Sequence, residues 1–245
     1  MSKKRIVIIG ASSAIAAQCA RRWADESADF ILVGRELSRV QQVADDLRVR
    51  SPQSVVEEIQ IDFNDTTDIK SLVDHAAQAA IDIVLIAHGN LPQQPECERD
   101  IDIACEALLV NGLSPVLFAE AFAAQLIKQR HGSLAVIGSV AGDRGRKSNY
   151  VYGSAKGMVE RYLQGLQHRV AGSAVKVVLI KPGPTATPMT AHLPQPGLAS
   201  AESVARAIVH GIDSGKPVVY APAKWWLIMM VIRHLPRFIF NKLDI

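Results

Sequence analysis

Two side chains in this sequence are spaced for proton transfer. Tyr152 and Lys156 stand four residues apart in Tyr-Gly-Ser-Ala-Lys, and on a helix that spacing puts phenol and ammonium on one face. A fixed positive charge beside a phenol favours the phenolate, so the tyrosine pKa is expected to fall toward neutrality. Tyr152 is then a general acid for reducing a carbonyl, or a general base for oxidising an alcohol. Ser139, thirteen residues upstream, follows a short apolar run and could hold a substrate oxygen beside that phenol. Asn111 falls in Leu109-Val-Asn-Gly-Leu113. Asn-Gly inside a helical pattern is costly and implies a local kink with a purpose. Tyr150 has Ser154, not a lysine, four residues on, and so lacks a partner. Plainer readings exist: Tyr-x-x-x-Lys arises by chance on helix surfaces, and Ser139 could be an ordinary turn serine. The order and spacing of all three favour the chemical reading.

The elements that must position these groups are legible as an alternation. Short apolar runs at Arg5–Ile9, Phe30–Gly34, Val55–Ile61, Ile83–Ala87, Ser133–Gly138, Lys176–Ile180 and Val218–Tyr220 read as strands. Most are apolar at every position, the signature of parallel strands buried on both faces. Helical patterns fill the gaps at 13–27, 36–49, 66–79, 97–129, 150–171 and 201–213, with Asp65 and Ser200 suited to be N-caps. Repeated βα alternation predicts an α/β fold, a doubly wound parallel sheet with helices on both faces. The Pro/Gly-rich stretch Pro182–Gly197 is the one long loop, and such a loop in a compact domain is usually functional, often a lid.

Ligands of such sheets bind outside the carboxyl ends of the strands, with phosphate at a helix N-terminus. The first strand runs into Gly10-Ala-Ser-Ser-Ala-Ile-Ala16, a small-residue turn that lets backbone N–H groups approach a pyrophosphate, or that serves packing only. The second strand ends at Gly34-Arg35. An arginine there suits the 2′-phosphate of NADP, where an acid would suit NAD; the plainer reading is a solvated arginine. Asp62, before Phe63, could bond an adenine amino group or only cap the turn at Asn64. Gly89 would let backbone pass close to a ribose, and His88 is either a ligand contact or a satisfied structural histidine.

Composition narrows the classes. The chain has 245 residues, 49% hydrophobic and 21% charged, with net charge +3. That is enough to bury one sizeable core and too little charge to suggest nucleic-acid binding. Cys19, Cys97 and Cys105 are odd in number with no Cys-x-x-Cys spacing, which argues for reduced cytosolic thiols over disulfides or zinc. The basic start, Met1 to Arg5, precedes an apolar run too short for a signal sequence, so a cytoplasmic protein is expected. Near the end, Trp225-Trp-Leu-Ile-Met-Met-Val-Ile232 is followed by Arg233, Arg237 and Lys242. The run is too short to span a bilayer. It suits a helix lying at a membrane interface through residues 225–240, or one packing over the core or in a dimer interface. Arg233, His234 and Arg237 could hold a substrate phosphate or form a solvated basic face.

Over the chain to about position 220, these residues resemble the short-chain dehydrogenase/reductase family. Ile9-Gly-Ala-Ser-Ser-Ala-Ile-Ala16 is similar to its glycine-rich turn, Ala87-His88-Gly89 to its Asn-Ala-Gly segment, and Asn111, Ser139, Tyr152 and Lys156 to its catalytic tetrad. Pro182-Gly-Pro-Thr-Ala-Thr187 resembles its Pro-Gly loop. The resemblance implies one Rossmann-type domain over 1–221 with a helical extension at 222–245, and an oxidoreductase using NADP(H), with NAD(H) the alternative. It places the cofactor against Gly10, Ser12, Ser13 and Ile15, then Arg35, Asp62 and Phe63, then Ala87, His88 and Gly89. Pro182, Gly183, Thr185 and Thr187 complete the nicotinamide end. Lys156 would also hold the nicotinamide ribose beside Tyr152, and Asn111 would help carry a proton relay through water. Ala14 and Ala16 depart from the pattern, standing where the family has glycines. The stretch Ser139–Tyr152 and the tail Met229–Phe240 resemble the decaprenylphosphoryl-2-keto-ribose reductases. That likeness implies a keto-sugar on a lipid phosphate carrier and a site at the inner face of the membrane. Another hydrophobic ketone, fatty-acyl or steroid-like, is the second reading, and a nucleotide-sensing protein without catalysis the third. By family analogy a homodimer or homotetramer is expected, paired through helices 97–129 and 150–171.

Overall fold

The computed structural model describes residues 3–191 and 197–243. Strands β1 (Arg5–Ile9), β2 (Asp29–Gly34), β3 (Val56–Gln60), β4 (Ile83–Ile86), β5 (Ser133–Ile137) and β6 (Lys176–Pro182) alternate with helices. The helices are α1 (Ala14–Ala24), α2 (Leu37–Arg50), α3 (Thr66–Ala76), α4 (Gln94–Arg99), α5 (Ile101–Leu108), α6 (Ser114–Gln129) and α7 (Tyr150–Arg169). The short strands β7 (Thr185–Ala186) and β8 (Ala199–Ser200) pair with each other, and α8 (Ala201–Asp213), β9 (Val218–Ala221), α9 (Lys224–His234) and α10 (Arg237–Phe240) follow.

The main sheet has seven strands in the order β3-β2-β1-β4-β5-β6-β9, parallel throughout. Alternate side chains of each strand enter separate cores. Ile6 and Ile8 pack with the helix residues Trp23, Leu47 and Ile208. Val7 and Ile9 pack with Phe118, Phe122 and Leu163. Helices therefore cover both faces, as the uniformly apolar strands predict. Strand order reverses between β1 and β4, and the crevice at that switch point is where such sheets take ligands.

Local signals were reliable where they were strong. Asp65 accepts a hydrogen bond from Thr67 N at 2.7 Å and Ser200 from Ser203 N at 3.2 Å, each capping its helix. The single helix expected over 97–129 is broken. Asp100 is extended (φ −134°, ψ 113°), and its carboxylate accepts from Asp102 N at 2.8 Å. That side-chain cap starts a second helix rather than continuing the first. The strand expected over Val55–Ile61 is shorter, and the one expected to end at Ile180 runs on to Pro182.

The span Ile101–Gln129 is long and apolar enough to cross a membrane by length and composition. Its residues Phe118, Phe122 and Leu126 are fully buried in the core, so it is accounted for as a core helix. Within it, Leu109–Leu113 forms a π turn, the local irregularity that Asn-Gly foreshadowed.

Candidate active site

The end of β5, the start of α7 and the π turn between α5 and α6 bring the expected reactive groups to one cleft. Ser139 follows β5 and caps a 3-10 turn (Val140–Asp143), its Oγ accepting from Ala141 N at 3.1 Å. Tyr152 and Lys156 lie on the first turns of α7. Asn111 sits in the π turn, fully buried. Ser139, Tyr152, Lys156 and Asn111 line one cleft with Pro182, Gly183, Thr185 and Thr187. The cleft opens onto a groove lined by Gly10, Ser12, Arg35 and Phe63, and Ser13, Ile15, Ala87, His88, Gly89 and Thr187 line both. Asp62 stands beyond that groove, on a shallower surface that it shares with Arg35.

Lys156 is buried and donates from Nζ to the Ile137 carbonyl at 3.0 Å. Its Nζ is 5.8 Å from the centre of the Tyr152 ring. Burial pushes the Lys156 ammonium down to about 8. Burial also pushes the Tyr152 phenol up to about 12, and the Ser139 hydroxyl offsets only part of this. The expected fall of the tyrosine pKa toward neutrality is thus reversed. Withdrawal from water penalises the phenolate more than its neighbours favour it. Tyr152 is a firmly protonated donor.

Asn111 is fixed by exchange with one loop residue. Its Nδ2 donates to Asn90 Oδ1 (2.6 Å) and Ala107 O (3.0 Å), while its Oδ1 accepts from Asn90 N (3.0 Å). A side chain on Gly89 would place its β-carbon 2.7 Å from Asn111 Oδ1 and 3.6 Å from Lys156 Nζ, so glycine keeps this approach open.

At the nucleotide end, Gly10 has φ +81°, and a β-carbon on it would fall 2.6 Å from His88 N. Both conformation and space demand glycine. Of the two departures from a glycine-rich turn, Ala16 is fully buried in the core and Ala14 lines the groove. The Ala16 methyl thus serves helix–sheet packing. Ser13 stands at the N-cap of α1 with its side chain unused as a cap, and the first-turn N–H groups have no intrahelical partner. Such a turn fits a pyrophosphate.

His88 is mostly a packing residue. Its ring lies 4.6 Å from that of Phe63 and 5.5 Å from that of Phe118. Ser114 Oγ donates to Phe63 O at 2.7 Å, so His88 Nε2 donates to Ser114 Oγ at 2.9 Å and Nδ1 is left as a buried acceptor without a partner. Burial first, then the charges of Lys156 and Arg35, hold His88 down at about 3; it is neutral. Asp62 caps the turn, accepting from Asn64 N at 2.9 Å. Arg35 lies 5.9 Å from the Phe63 ring centre. Arg39, which the sequence did not single out, lines the same groove and pairs with Glu36 at 2.8 Å. Thr185 is buried and donates to Gly183 O at 2.8 Å.

Behind the cleft is a buried ionic cluster that spacing could not reveal. Lys181 bonds Asp143 and, at 2.7 Å, Glu160. Tyr220 donates to Asp143 Oδ2 at 3.1 Å. Burial pulls the Lys181 ammonium down, but its two carboxylate partners outweigh this and hold it above its ordinary value. The cluster joins the Ser139 turn, α7, β6 and β9. Next to it, Arg144 donates to the carbonyls of Ile232 (2.5 Å) and Leu235 (2.7 Å), closing the end of α9.

The basic residues of the tail do not reach the cleft. Arg233, His234 and Arg237 are exposed, and His234 Nδ1 bonds Met230 O at 2.7 Å. The solvated-face reading describes them. Besides Lys156, the cation that lines the cleft is Arg146, with Asn149 on the same wall; neither Arg146 nor Asn149 was singled out. Of the loop Pro182–Gly197, read from the sequence as a lid, residues 192–196 lie outside the described residues.

Known proteins bear on this arrangement. The family model of short chain dehydrogenases matches residues 4–196. An uncharacterized oxidoreductase of Mycobacterium tuberculosis is 31% identical over 243 residues, covering 97% of this chain and 96% of its own. One of Streptomyces coelicolor is 29% identical over 243 residues, covering 98% and 96%. Among solved structures, a short chain dehydrogenase from Burkholderia cenocepacia in complex with NADP superposes with a TM-score of 0.85 at 19% identity, covering 100% and 98%. A short-chain dehydrogenase from Sphingobium yanoikuyae in complex with NADPH gives 0.80 at 23%, covering 96% and 97%.

Proposed function

The chain belongs to the short-chain dehydrogenase family and is an NAD(P)-dependent oxidoreductase, and from that premise we propose that it reduces a carbonyl with NADPH at the cleft of Ser139, Tyr152 and Lys156. The observation that carries this is the meeting of those three side chains, with Asn111 behind them, where the cleft joins the glycine-turn groove.

In this reading Ser139 Oγ and the Tyr152 hydroxyl hold the substrate oxygen between them, and the phenol gives up its proton as negative charge develops there. A nicotinamide supplies the hydride when bound. Lys156 presents a buried ammonium to the phenolate that forms, and bonds the nicotinamide ribose. Asn111, locked by Asn90, keeps the floor of the cleft open for water to return the proton. Gly10, Ser12, Ser13 and Ile15 hold the pyrophosphate, and Arg35, with Arg39 near it, favours a 2′-phosphate. Phe63, Ala87, His88 and Gly89 take the adenosine side, with Asp62 at its outer end, and Pro182, Gly183, Thr185 and Thr187 the nicotinamide.

The substrate is a keto group on a hydrophobic carrier, a lipid-phosphate keto-sugar by preference. What supports this is α9, whose Trp226, Leu227, Met230 and Val231 remain exposed beside Lys224, Arg233 and Arg237. That composition suits a helix at the cytoplasmic membrane surface. Exposed Ile101, Leu108, Leu113 and Met158 support a homodimer through α5 and α7.

Fluorescence titration with NADPH and NADH, followed by ketone-dependent oxidation of NADPH, tests the reading. Saturable binding, tighter for NADPH, and turnover are expected. Absence of binding of either nucleotide overturns it.

A further inference from the structure

The cleft contains a cation for which no ion pair is seen among the described residues. Arg146 lines it on the side of Ser139 and Tyr152, and its Nε is buried with no hydrogen-bond partner. The acid whose charge acts on it, Asp143, is committed to Lys181 and Tyr220. No aspartate or glutamate lines the cleft among the described residues; its two charged groups, Arg146 and Lys156, are both positive. Burial pushes the Arg146 guanidinium below its ordinary range, Asp143 offsetting part of this. A desolvated, unpaired guanidinium is costly, and the cost is recovered when an anion enters.

A second orphan adjoins it. Asn149 Oδ1 is buried without a partner and lines the same cleft. It is an acceptor, which calls for a donor on the ligand rather than an anion. Arg146 and Asn149 line the cleft of Ser139 and Tyr152 but not the groove of Gly10, Ser12 and Arg35, which separates them from the residues proposed to hold the nucleotide phosphates. The remaining cleft wall includes Leu91, Val140, Pro184 and Met189, which is apolar.

Resting on the reductase reading above, we infer that Arg146 and Asn149 form a substrate-recognition subsite for a hydroxylated ketone bearing an anionic group, a phosphate ester in the first instance. Arg146 takes the anion as a fork and Asn149 accepts from a hydroxyl. The carbonyl is thereby delivered to Ser139 and Tyr152. Arg146 is a specificity residue; proton transfer remains with Tyr152.

The test is calorimetric titration of the protein saturated with NADP, so that nucleotide phosphate sites are filled. The probes are decyl phosphate, ribose 5-phosphate and decanol; the proteins are wild type, Arg146→Met, Arg146→Lys and Asn149→Ala. Wild type should prefer decyl phosphate to decanol by about ten- to a hundredfold, the range of a charge-assisted bond. Arg146→Met should erase that preference and leave decanol unchanged, and Arg146→Lys should restore part of it. Asn149→Ala should weaken ribose 5-phosphate and spare decyl phosphate. Tight binding of ribose 5-phosphate assigns the subsite to free sugar phosphates, and binding of the decyl ester alone assigns it to a chain-bearing headgroup. Equal affinity of wild type and Arg146→Met for both phosphates overturns the inference. Loss of NADP binding itself, visible before any probe is added, counts instead against the reductase reading.

Discussion

The indole of Trp225 lies so close to Gly183 that a β-carbon on residue 183 would sit 1.9 Å from Trp225 Nε1. Helix α9 is therefore seated on the loop that forms one wall of the cleft. Gly183→Ala should destabilise the protein by about 1–3 kcal/mol through overpacking, with a raised KM for the ketone. In a Trp225→Ala background the same alanine should cost almost nothing. Denaturant midpoints of the four proteins, read as a double-mutant cycle, check this; additive costs would mean that the two residues do not meet.

Tyr152→Phe should lower turnover by about 10²–10⁴-fold, the usual worth of a placed general acid, with NADPH affinity retained. Ser139→Ala should lose about 10²–10³-fold. Steady-state rates beside nucleotide titrations separate the two effects. A phenylalanine variant with undiminished turnover would remove the phenol from the reaction.

Arg35→Ala should weaken NADPH by about ten- to a hundredfold, the worth of a charged bond to phosphate, and leave NADH nearly unchanged. Arg39→Ala should do less, because Arg39 is already paired with Glu36. Dissociation constants for both nucleotides give the answer. A parallel loss for NADPH and NADH would take Arg35 away from the 2′-phosphate.

These predictions draw unequally on what the sequence reveals. Asp65 and Ser200 were readable as caps because a cap depends on three or four consecutive residues. Tyr152 and Lys156 were readable because helical spacing alone brings them together, and the uniformly apolar strands announced the covered sheet. The sign of the Tyr152 shift was not, because its main cause is burial, which depends on how segments distant in sequence, such as Ile137 and Pro182, come together around one cleft. Arg146 is one of three cations between Ser139 and Tyr152, with Arg144 and Lys147, and no spacing sets it apart. Only the fold, which uses Asp143 elsewhere, leaves it unpaired. The Lys181 cluster unites residues from 143 to 220 and carries no local pattern. The break at Asp100 was missed because apolar periodicity resumes on either side of it.

Lys156 gives stability a pH dependence of defined sign. Its folded pKa, about 8, is below the ordinary lysine value of 10.5. Between those values the unfolded chain binds the extra proton, so stability gains from this residue as pH rises from about 8 to 10.5. The full gain is on the order of 3 kcal/mol. Lys156→Met lacks it, so the difference in stability between wild type and variant should move in favour of wild type from pH 7 to pH 10. Parallel unfolding curves for the two proteins would place the ammonium in water.

Lys181 balances two buried carboxylates, and removing it should be severe. Lys181→Met should cost about 3–5 kcal/mol by stranding Asp143 and Glu160. Glu160→Gln, which removes the surplus negative charge, should be near neutral. Thermal unfolding of both variants tests the balance; a mild Lys181→Met would mean that the cluster is solvated.

The π turn at Leu109–Leu113 sets a phase. An extra residue in one turn rotates everything beyond it by about 100°, since an α-helix advances 3.6 residues per turn. Upstream, α5 buries only Ala107 and shows Ile101 to solvent; downstream, α6 drives Phe118, Phe122 and Leu126 into the sheet. One continuous rod thereby presents an outward apolar face at one end and an inward one at the other, with Asn111 at the node. Excising a single residue there would turn α6 by about 100° relative to α5 and swing Phe118, Phe122 and Leu126 away from the sheet they pack against, so the chain length at this dial is fixed by the core on one side of it.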